Sequence, residues 1–476
     1  MRIYSLLTLD GSPTTLSEPE VAALAGGLGG GVLTPESDTY DETRAIWNGM
    51  IDRRPGLIAR CTHAADVQHA VRFARKHDLL VAVRGGGHNI AGHAICDDGL
   101  LIDLAPMQAV DVDPVARTAR VEPGCTLADF DREAQIFGLA TPVGINSTTG
   151  IAGLTLGGGF GWLSRKYGMT IDNLLAVDIV TPDGQLLRAS EHEHPDLFWA
   201  IRGGGGNFGI VTAFTFQLHA IGTEVLSGLI VHPAEDADAV LRFYRDFVDS
   251  LPDETAVWVV LRKAPPLPFL PEDWHGRDVV VLAAFHVGDM AEGERLLAPL
   301  RAFGTPIADV IGPHVYLEWQ QAFDPLLTPG ARNYWKSHSF MALPDEALDT
   351  FAAYARRVPS PHTEIFIGQV GGAMGRVGAE ETAYANRDAR FIANVHGRWE
   401  TPEEDAGGIA WSRECFQALT PYATGGVYVN FLTEDEEGRI RAAYGPNYER
   451  LAEVKEAYDP ENRLRLNQNI RPAVPA

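Results

Sequence analysis

The apolar run Leu79-Leu80-Val81-Ala82-Val83 ends at Arg84 and empties into Gly85-Gly86-Gly87-His88-Asn89. A strand has to stop there, because consecutive glycines offer a sheet no side chains to pack and leave the backbone unrestrained. Without Cβ atoms in the way, successive N–H groups can converge on an anion. The histidine that closes the loop then stands beside whatever carries that anion. A glycine-rich turn after a strand is common in itself, so the rest of the chain decides its meaning.

A second glycine-dense stretch runs through Gly150, Gly153, Gly157, Gly158, Gly159 and Gly161, with Phe160 and Trp162 among them. Such density implies that a flat ligand or another backbone passes close by; a packed loop that needs glycine torsions is the alternative. A third stretch, Gly204-Gly205-Gly206-Asn207-Phe208-Gly209, matches the GxGxxG dinucleotide fingerprint. That fingerprint needs a strand before it and a helix after it. Here it follows the helical Pro195–Ile201 and precedes Ile210–Phe216, which alternates like a strand. The Rossmann reading fails on context.

The order of these motifs, with Arg165-Lys166-Tyr167-Gly168 and Asp172-Asn173, resembles the FAD-binding domain of the vanillyl-alcohol oxidase superfamily. Within it the chain resembles the berberine-bridge-enzyme-like oxidases, and among these the bacterial 6-hydroxy-nicotine-oxidase type. The likeness runs from about Pro55 to Leu218 and returns at Tyr428 to Pro472. It implies an α+β, two-domain PCMH-type FAD-binding fold. Residues 1–222 and 428–476 would form a discontinuous flavin domain, and 223–427 a substrate domain on an antiparallel sheet covered by helices.

The resemblance implies that FAD is held by Arg84, Gly85, Gly86, Gly87, His88, Asn89 and Gly92 from the first loop. Asn146, Thr148, Thr149, Gly150, Gly153, Gly158, Gly159 and Gly161 would serve from the second. Gly209, Ile210 and Val211 would lie against the adenine end, and Asn467 and Gln468 would close on the ring. A neutral imidazole is a competent nucleophile, and relatives with a histidine in this loop carry FAD bound covalently through it. His88 is therefore the expected linkage site. Many relatives have a second tether, a cysteine, where this chain has Asn146; Cys125 reads as a core residue. One covalent bond is expected, not two.

The protein orients and deprotonates the substrate while the flavin performs the redox step. Tyr428-Val429-Asn430-Phe431 resembles an active-site strand of the family, which would put Tyr428 and Asn430 on one side. Phe431 and Phe160 stand where relatives have tyrosines, which weakens a sugar-oxidase reading and makes the pocket more apolar. In Arg390–Arg398, alternation puts Ile392, Asn394, His396 and Arg398 on one face, either a cavity wall or a solvent face. Asn394 and His396 are further candidates, and Lys336 a third, although a lysine there is more often a salt-bridge partner. Thr149 falls where small residues let oxygen approach the ring.

A net charge of −24 disfavours nucleic acid and anionic membranes as partners. No apolar run reaches the roughly 18 residues that cross a bilayer, and Met1–Asp10 lacks a secretory pattern, so a cytoplasmic protein is expected. The four cysteines form no CxxC pair and no metal spacing, so no metal is expected and they read as reduced and structural. Elsewhere, helices are expected over Ser17–Gly26 and Leu127–Phe137, and on the stripe Val67, Ala70, Val71 and Ala74. Hairpins rather than strict βαβ alternation point to antiparallel sheets. Residues Pro265 to Pro271 form a proline-rich loop, either a lid or an interface.

The function these readings favour is an FAD-dependent oxidase that passes a hydride from a small alcohol or amine to flavin N5, with O2 as partner and H2O2 as product. A tailoring oxidoreductase acting on a polyketide or alkaloid intermediate is the alternative, as is a flavin-binding protein without turnover. Nothing in the sequence speaks to oligomeric state.

Overall fold

Three sheets surround the two glycine loops in the computed structural model, which describes residues 2–473. Among these described residues, the first sheet runs in the order Val32–Leu33, Leu57–Arg60, Leu100–Asp103, Val81–Arg84. Its last three strands are parallel, beside two larger sheets that are antiparallel as expected. The cause is the helix Ala64–Lys76, whose Val67, Ala70, Val71 and Ala74 are buried as the spacing implied. That helix carries the chain back over the sheet, so the next strand enters in the same direction. Val81–Arg84 therefore delivers Gly85 at the sheet's end.

A second, antiparallel sheet takes Leu186–Ser190, Leu174–Val180, Ile210–Gln217, Thr118–Val121 and Val110–Asp113 in that order. Hairpins are present over 110–121 and 174–190. An N-terminal hairpin, Ile3–Leu7 with Pro13–Ser17, precedes the helix Glu18–Ala25 and had no counterpart in the sequence reading. Leu127–Gln135 is helical, two residues shorter than expected.

The third sheet is eight-stranded and antiparallel, and contains Glu224–Pro233, Thr255–Lys263, Asp278–His286, Arg332–Phe340, Glu364–Gln369 and Phe391–Trp399. Leu241, Val257, Leu282, Phe351 and Cys415 share a core that joins one face to the helices Ala237–Val248, Asp345–Ala355 and Asp405–Leu419. The opposite face turns toward the glycine loops. Register puts Trp335 and Glu364 on either side of His396, so one row across three strands holds all three.

After this sheet the chain rejoins the core of the second sheet, where Val427, Leu432, Leu451 and Ile470 pack with Phe198, Phe208 and Phe214. Lys455 fastens the return: it is fully buried, donates to the carbonyls of Asn207 (2.7 Å) and Leu464 (3.0 Å), and pairs with Asp459 at 2.6 Å. All four cysteines are buried and free. No helix among the described residues is long and apolar enough to cross a membrane.

Asp131 links helix Leu127–Gln135 to helix Tyr316–Gln320, accepting from Gln320 Nε2 at 3.0 Å. Burial raises its pKa from 3.8 to about 7, against a small opposing effect of that bond. Between those values the unfolded chain is ionised at this position while the folded chain still holds the proton. Stability should therefore fall as pH rises through this window and level off above it. Urea midpoints measured between about pH 4 and pH 7 should show this decline in wild type, and Asp131→Asn should flatten it.

Candidate active site

The glycine loops and the bare face of the large sheet enclose a cavity of about 2010 Å³, counting its open mouth. From the first loop, Gly85, Gly86, Gly87, His88 and Asn89 line it; from the second, Asn146, Thr149, Gly150, Gly153, Gly157 and Phe160. Gly205, Gly206, Gly209, Ile210 and Val211 form one end, with Asn467 and Gln468 beside them. Trp335, Glu364, Phe366, Asn394 and His396 come from the sheet, and Tyr428 and Asn430 from the returning chain.

At Gly86 and Gly150 the two loops meet backbone to backbone. A Cβ on Gly86 would overlap the Gly150 nitrogen, and one on Gly150 would overlap the Gly86 nitrogen. Both alternatives for the second stretch therefore hold at different residues, since Gly153 would meet no protein atom within 4 Å; the same is true of Gly206 in the third stretch. Their bare Cα atoms face the cavity. The amides of Gly86, Gly87, His88 and Asn89 donate to no protein group among the described residues, leaving a row of N–H groups suited to an anion.

Several expected contacts fall elsewhere. Arg84 is off the wall: its guanidinium pairs with Asp103 at 2.9 Å and donates to the Thr43 carbonyl, because strand alternation turns it into the protein. Gly92 packs against Ile51, with φ +79°. Gly158, Gly159 and Gly161 shape the turn rather than the wall, and a Cβ at Gly161 would overlap the Val143 carbonyl. Thr148 stands behind His88 rather than on the cavity surface. Lys336 points away from the site, pairing with Asp435 at 2.6 Å and Glu436 at 3.2 Å.

His88 lies flat against Trp47, ring centroids 5.0 Å apart and planes 21° from parallel. Burial lowers its pKa to about 4, and the Arg398 charge adds to this, so the ring is neutral at pH 7. Its Nε2 is 3.0 Å from Thr148 Oγ1, whose hydroxyl donates to Asn146 Oδ1 at 2.8 Å. A hydroxyl that gives its proton to the amide oxygen can only accept from the imidazole. The proton therefore sits on Nε2, and Nδ1 keeps the lone pair.

Val429–Phe431 is a 3-10 turn, not a strand, which corrects the alternation argument for this segment. Tyr428 and Asn430 still meet, because the turn brings Asn430 Nδ2 to within 3.0 Å of the Tyr428 hydroxyl. The Gly159 N–H donates to the same oxygen, also at 3.0 Å. Burial pushes the tyrosine's pKa up to about 12. Tyr428 stays protonated, with both acceptor positions used and its own O–H left to donate.

The strand Phe391–Trp399 is buried along its whole length, so the solvent-face alternative is overturned. Asn394 Oδ1 is buried without a protein partner, as are Trp335 Nε1 and Asn467 Oδ1. His396 Nε2 lies 3.1 Å from Asn333 Oδ1, and Nδ1 lies 3.4 Å from Glu364 Oε1. Asn333 Oδ1 and the carboxylate are both acceptors, so one proton fits between His396 and Glu364 beyond the one on Nε2. Burial lowers the pKa of His396 despite the carboxylate. Burial would raise that of Glu364, but Arg262 at 2.8 Å and His396 hold it below its usual value. Both shifts run in the direction that favours the unprotonated forms.

Trp47, His93, Trp335, Glu364 and Phe366 also line the cavity and were not anticipated. Trp335 and Glu364 follow from register with His396, which no single-strand pattern reveals. Trp47 arrives from a loop with no periodic signal.

An extended cavity with a glycine floor, a row of free amides and orphaned polar atoms fits a large flat cofactor with an anionic stretch, as in a flavoprotein. A family model described as an FAD binding domain matches residues 55–190, and one described as berberine and berberine like matches residues 427–471. The chain is 31% identical to (R)-6-hydroxynicotine oxidase of Paenarthrobacter nicotinovorans, over 93% of this chain and 97% of that one. An uncharacterized FAD-linked oxidoreductase of Bacillus subtilis is also 31% identical, over 94% and 97%. The crystal structure of 6-hydroxy-D-nicotine oxidase from Arthrobacter nicotinovorans superposes with a TM-score of 0.85 at 30% identity, covering 96% and 100%. The chain belongs to the berberine-like family of FAD-linked oxidoreductases, and it is an FAD-dependent oxidoreductase.

Because Gly153 faces open cavity and lies in the helix Ile151–Leu156, a larger side chain there should leave the fold intact but occupy cofactor space. Gly153→Leu should purify with less than about a tenth of the wild-type flavin, while its far-ultraviolet circular dichroism stays unchanged. Full flavin content in that variant would remove this wall from the FAD site.

Proposed function

We propose that the protein is an oxidase that takes a hydride from a small alcohol or amine, with FAD as acceptor and O2 as terminal oxidant yielding H2O2. One observation carries this reading: the His396–Glu364 pair, with Nδ1 and Oε1 3.4 Å apart, opens on the same cavity as the glycine loops and Tyr428. Bound FAD supplies the two-electron acceptor. The chain's own part is to hold the substrate and move a proton. The His396–Glu364 pair would take the O–H or N–H proton, while the Tyr428 hydroxyl and Asn394 Oδ1 hold the substrate heteroatom. Small Thr149 on the wall favours access for oxygen. In this reading residues 223–427 serve the substrate, and 1–222 with 428–476 serve the flavin.

His88 is the covalent anchor in this account, through its open Nδ1, and Asn146 takes no second bond. Asn146 and Thr148 act instead as positioning residues that fix the imidazole tautomer. Thr148→Val should slow covalent incorporation into apoprotein about tenfold, read as acid-stable flavin against time, without changing non-covalent uptake. An unchanged rate would remove the tautomer role.

Anaerobic flavin bleaching by benzyl alcohol and benzylamine, with H2O2 measured after air is admitted, tests the activity. Bleaching without H2O2 would make the protein a dehydrogenase. Because the pKa of His396 is lowered from 6.5, the bleaching rate should hold across neutral pH and fall only on acidification below that value. Glu364→Gln should slow bleaching by a factor on the order of 100 or more. A rate that instead rises steadily through pH 8 would assign the base elsewhere.

A further inference from the structure

A second cavity, about 700 Å³ including its mouth, lies beside the first. Ile145, Trp258, Leu327, Glu364 and Phe366 line both, so the two adjoin along these side chains, with Glu364, the partner of His396, among them. The floor of this chamber is the bare sheet face, with Val231, Val260 and Val281. Its cover is the proline-rich loop, through Leu267 and Phe269, together with Phe323. Among the described residues its only charged lining groups are Arg262 and Glu364, which pair with each other at 2.8 Å.

Such a chamber has no group to replace the hydration of a sugar's hydroxyls, and stripping them uncompensated is costly. An apolar cavity instead rewards an apolar guest, because water gains little there. The ends of the space differ in kind: one is a proton-accepting pair at the redox cavity, the other a wall of valines, leucine and phenylalanine. A guest that fills both has a heteroatom at one end and a hydrocarbon body at the other.

We propose that this chamber seats the apolar tail of the substrate, making the substrate class amphipathic: an alkyl or aryl body of several carbons joined to the carbon that bears the oxidised hydroxyl or amine. The proline-rich loop is then the lid of this chamber rather than an interface. The proposal rests on the oxidase reading for what happens at the head group, but the tail site is testable separately.

The holoenzyme would be titrated anaerobically with 4-alkylbenzyl alcohols and 4-alkylbenzylamines carrying tails from methyl to hexyl. Tryptophan fluorescence follows binding and flavin absorbance follows reduction. Affinity should tighten about three- to fourfold per methylene until the chamber is full. Val281→Phe and, independently, Leu229→Phe should flatten that dependence, with flavin content and melting temperature as controls on folding. Reduction with an affinity that ignores tail length would overturn the chamber and leave the oxidase reading standing. Tail-dependent binding without reduction would do the reverse. A steep tail dependence that survives in both variants would also overturn the chamber, and neither binding nor reduction by any probe would sink both readings.

Discussion

The contact between Gly86 and Gly150 sets the geometry on which the remaining site depends. At this point two loops meet backbone to backbone at a separation that any side chain would prevent. One loop leaves a parallel strand and carries His88; the other starts the helix Ile151–Leu156 and carries Thr149. Locking them together brings Thr148 behind the imidazole and leaves a continuous glycine floor. A methyl group at either position would separate the floor from the anchor.

Around that floor, the ionisable groups sort by a single rule. Those that line the cavity are held neutral or are already paired: His88 by burial, Tyr428 by burial, and Glu364 against Arg262. Arg84, Lys336 and Lys455 have partners elsewhere, on Asp103, Asp435 and Asp459, while the charge of Arg398 bears on His88 and His396 and favours their neutral forms. The outcome is a low-dielectric chamber with one vacant proton position, between His396 and Glu364. Such an environment strengthens the few polar contacts a substrate can make there.

Much of the flavin half was legible in the sequence because glycine clusters report backbone constraint directly. His88, Gly86, Gly150 and Asn467 all stand at the cavity wall. Arg84 was misplaced because the facing of a residue at a strand end is set by its partner, Asp103 on a neighbouring strand; Lys336 takes its salt-bridge alternative, on Asp435. The 3-10 turn at Val429–Phe431 escaped because four residues do not separate a period of two from one of three. Glu364 and Trp335 were invisible because their role comes from register across three strands. The apolar chamber was foreshadowed only by the proline-rich loop, whose function as a cover needed the sheet beneath it.

In the proposed function, the glycine floor would hold FAD and His88 would bind it covalently. Proteolysis of the purified holoenzyme and mass spectrometry of its peptides test that claim most directly. The account predicts one flavin-modified peptide, with the added mass on His88 and none on any cysteine. Flavin released wholly by acid, or a modification on His93, which lines the same wall, would contradict it.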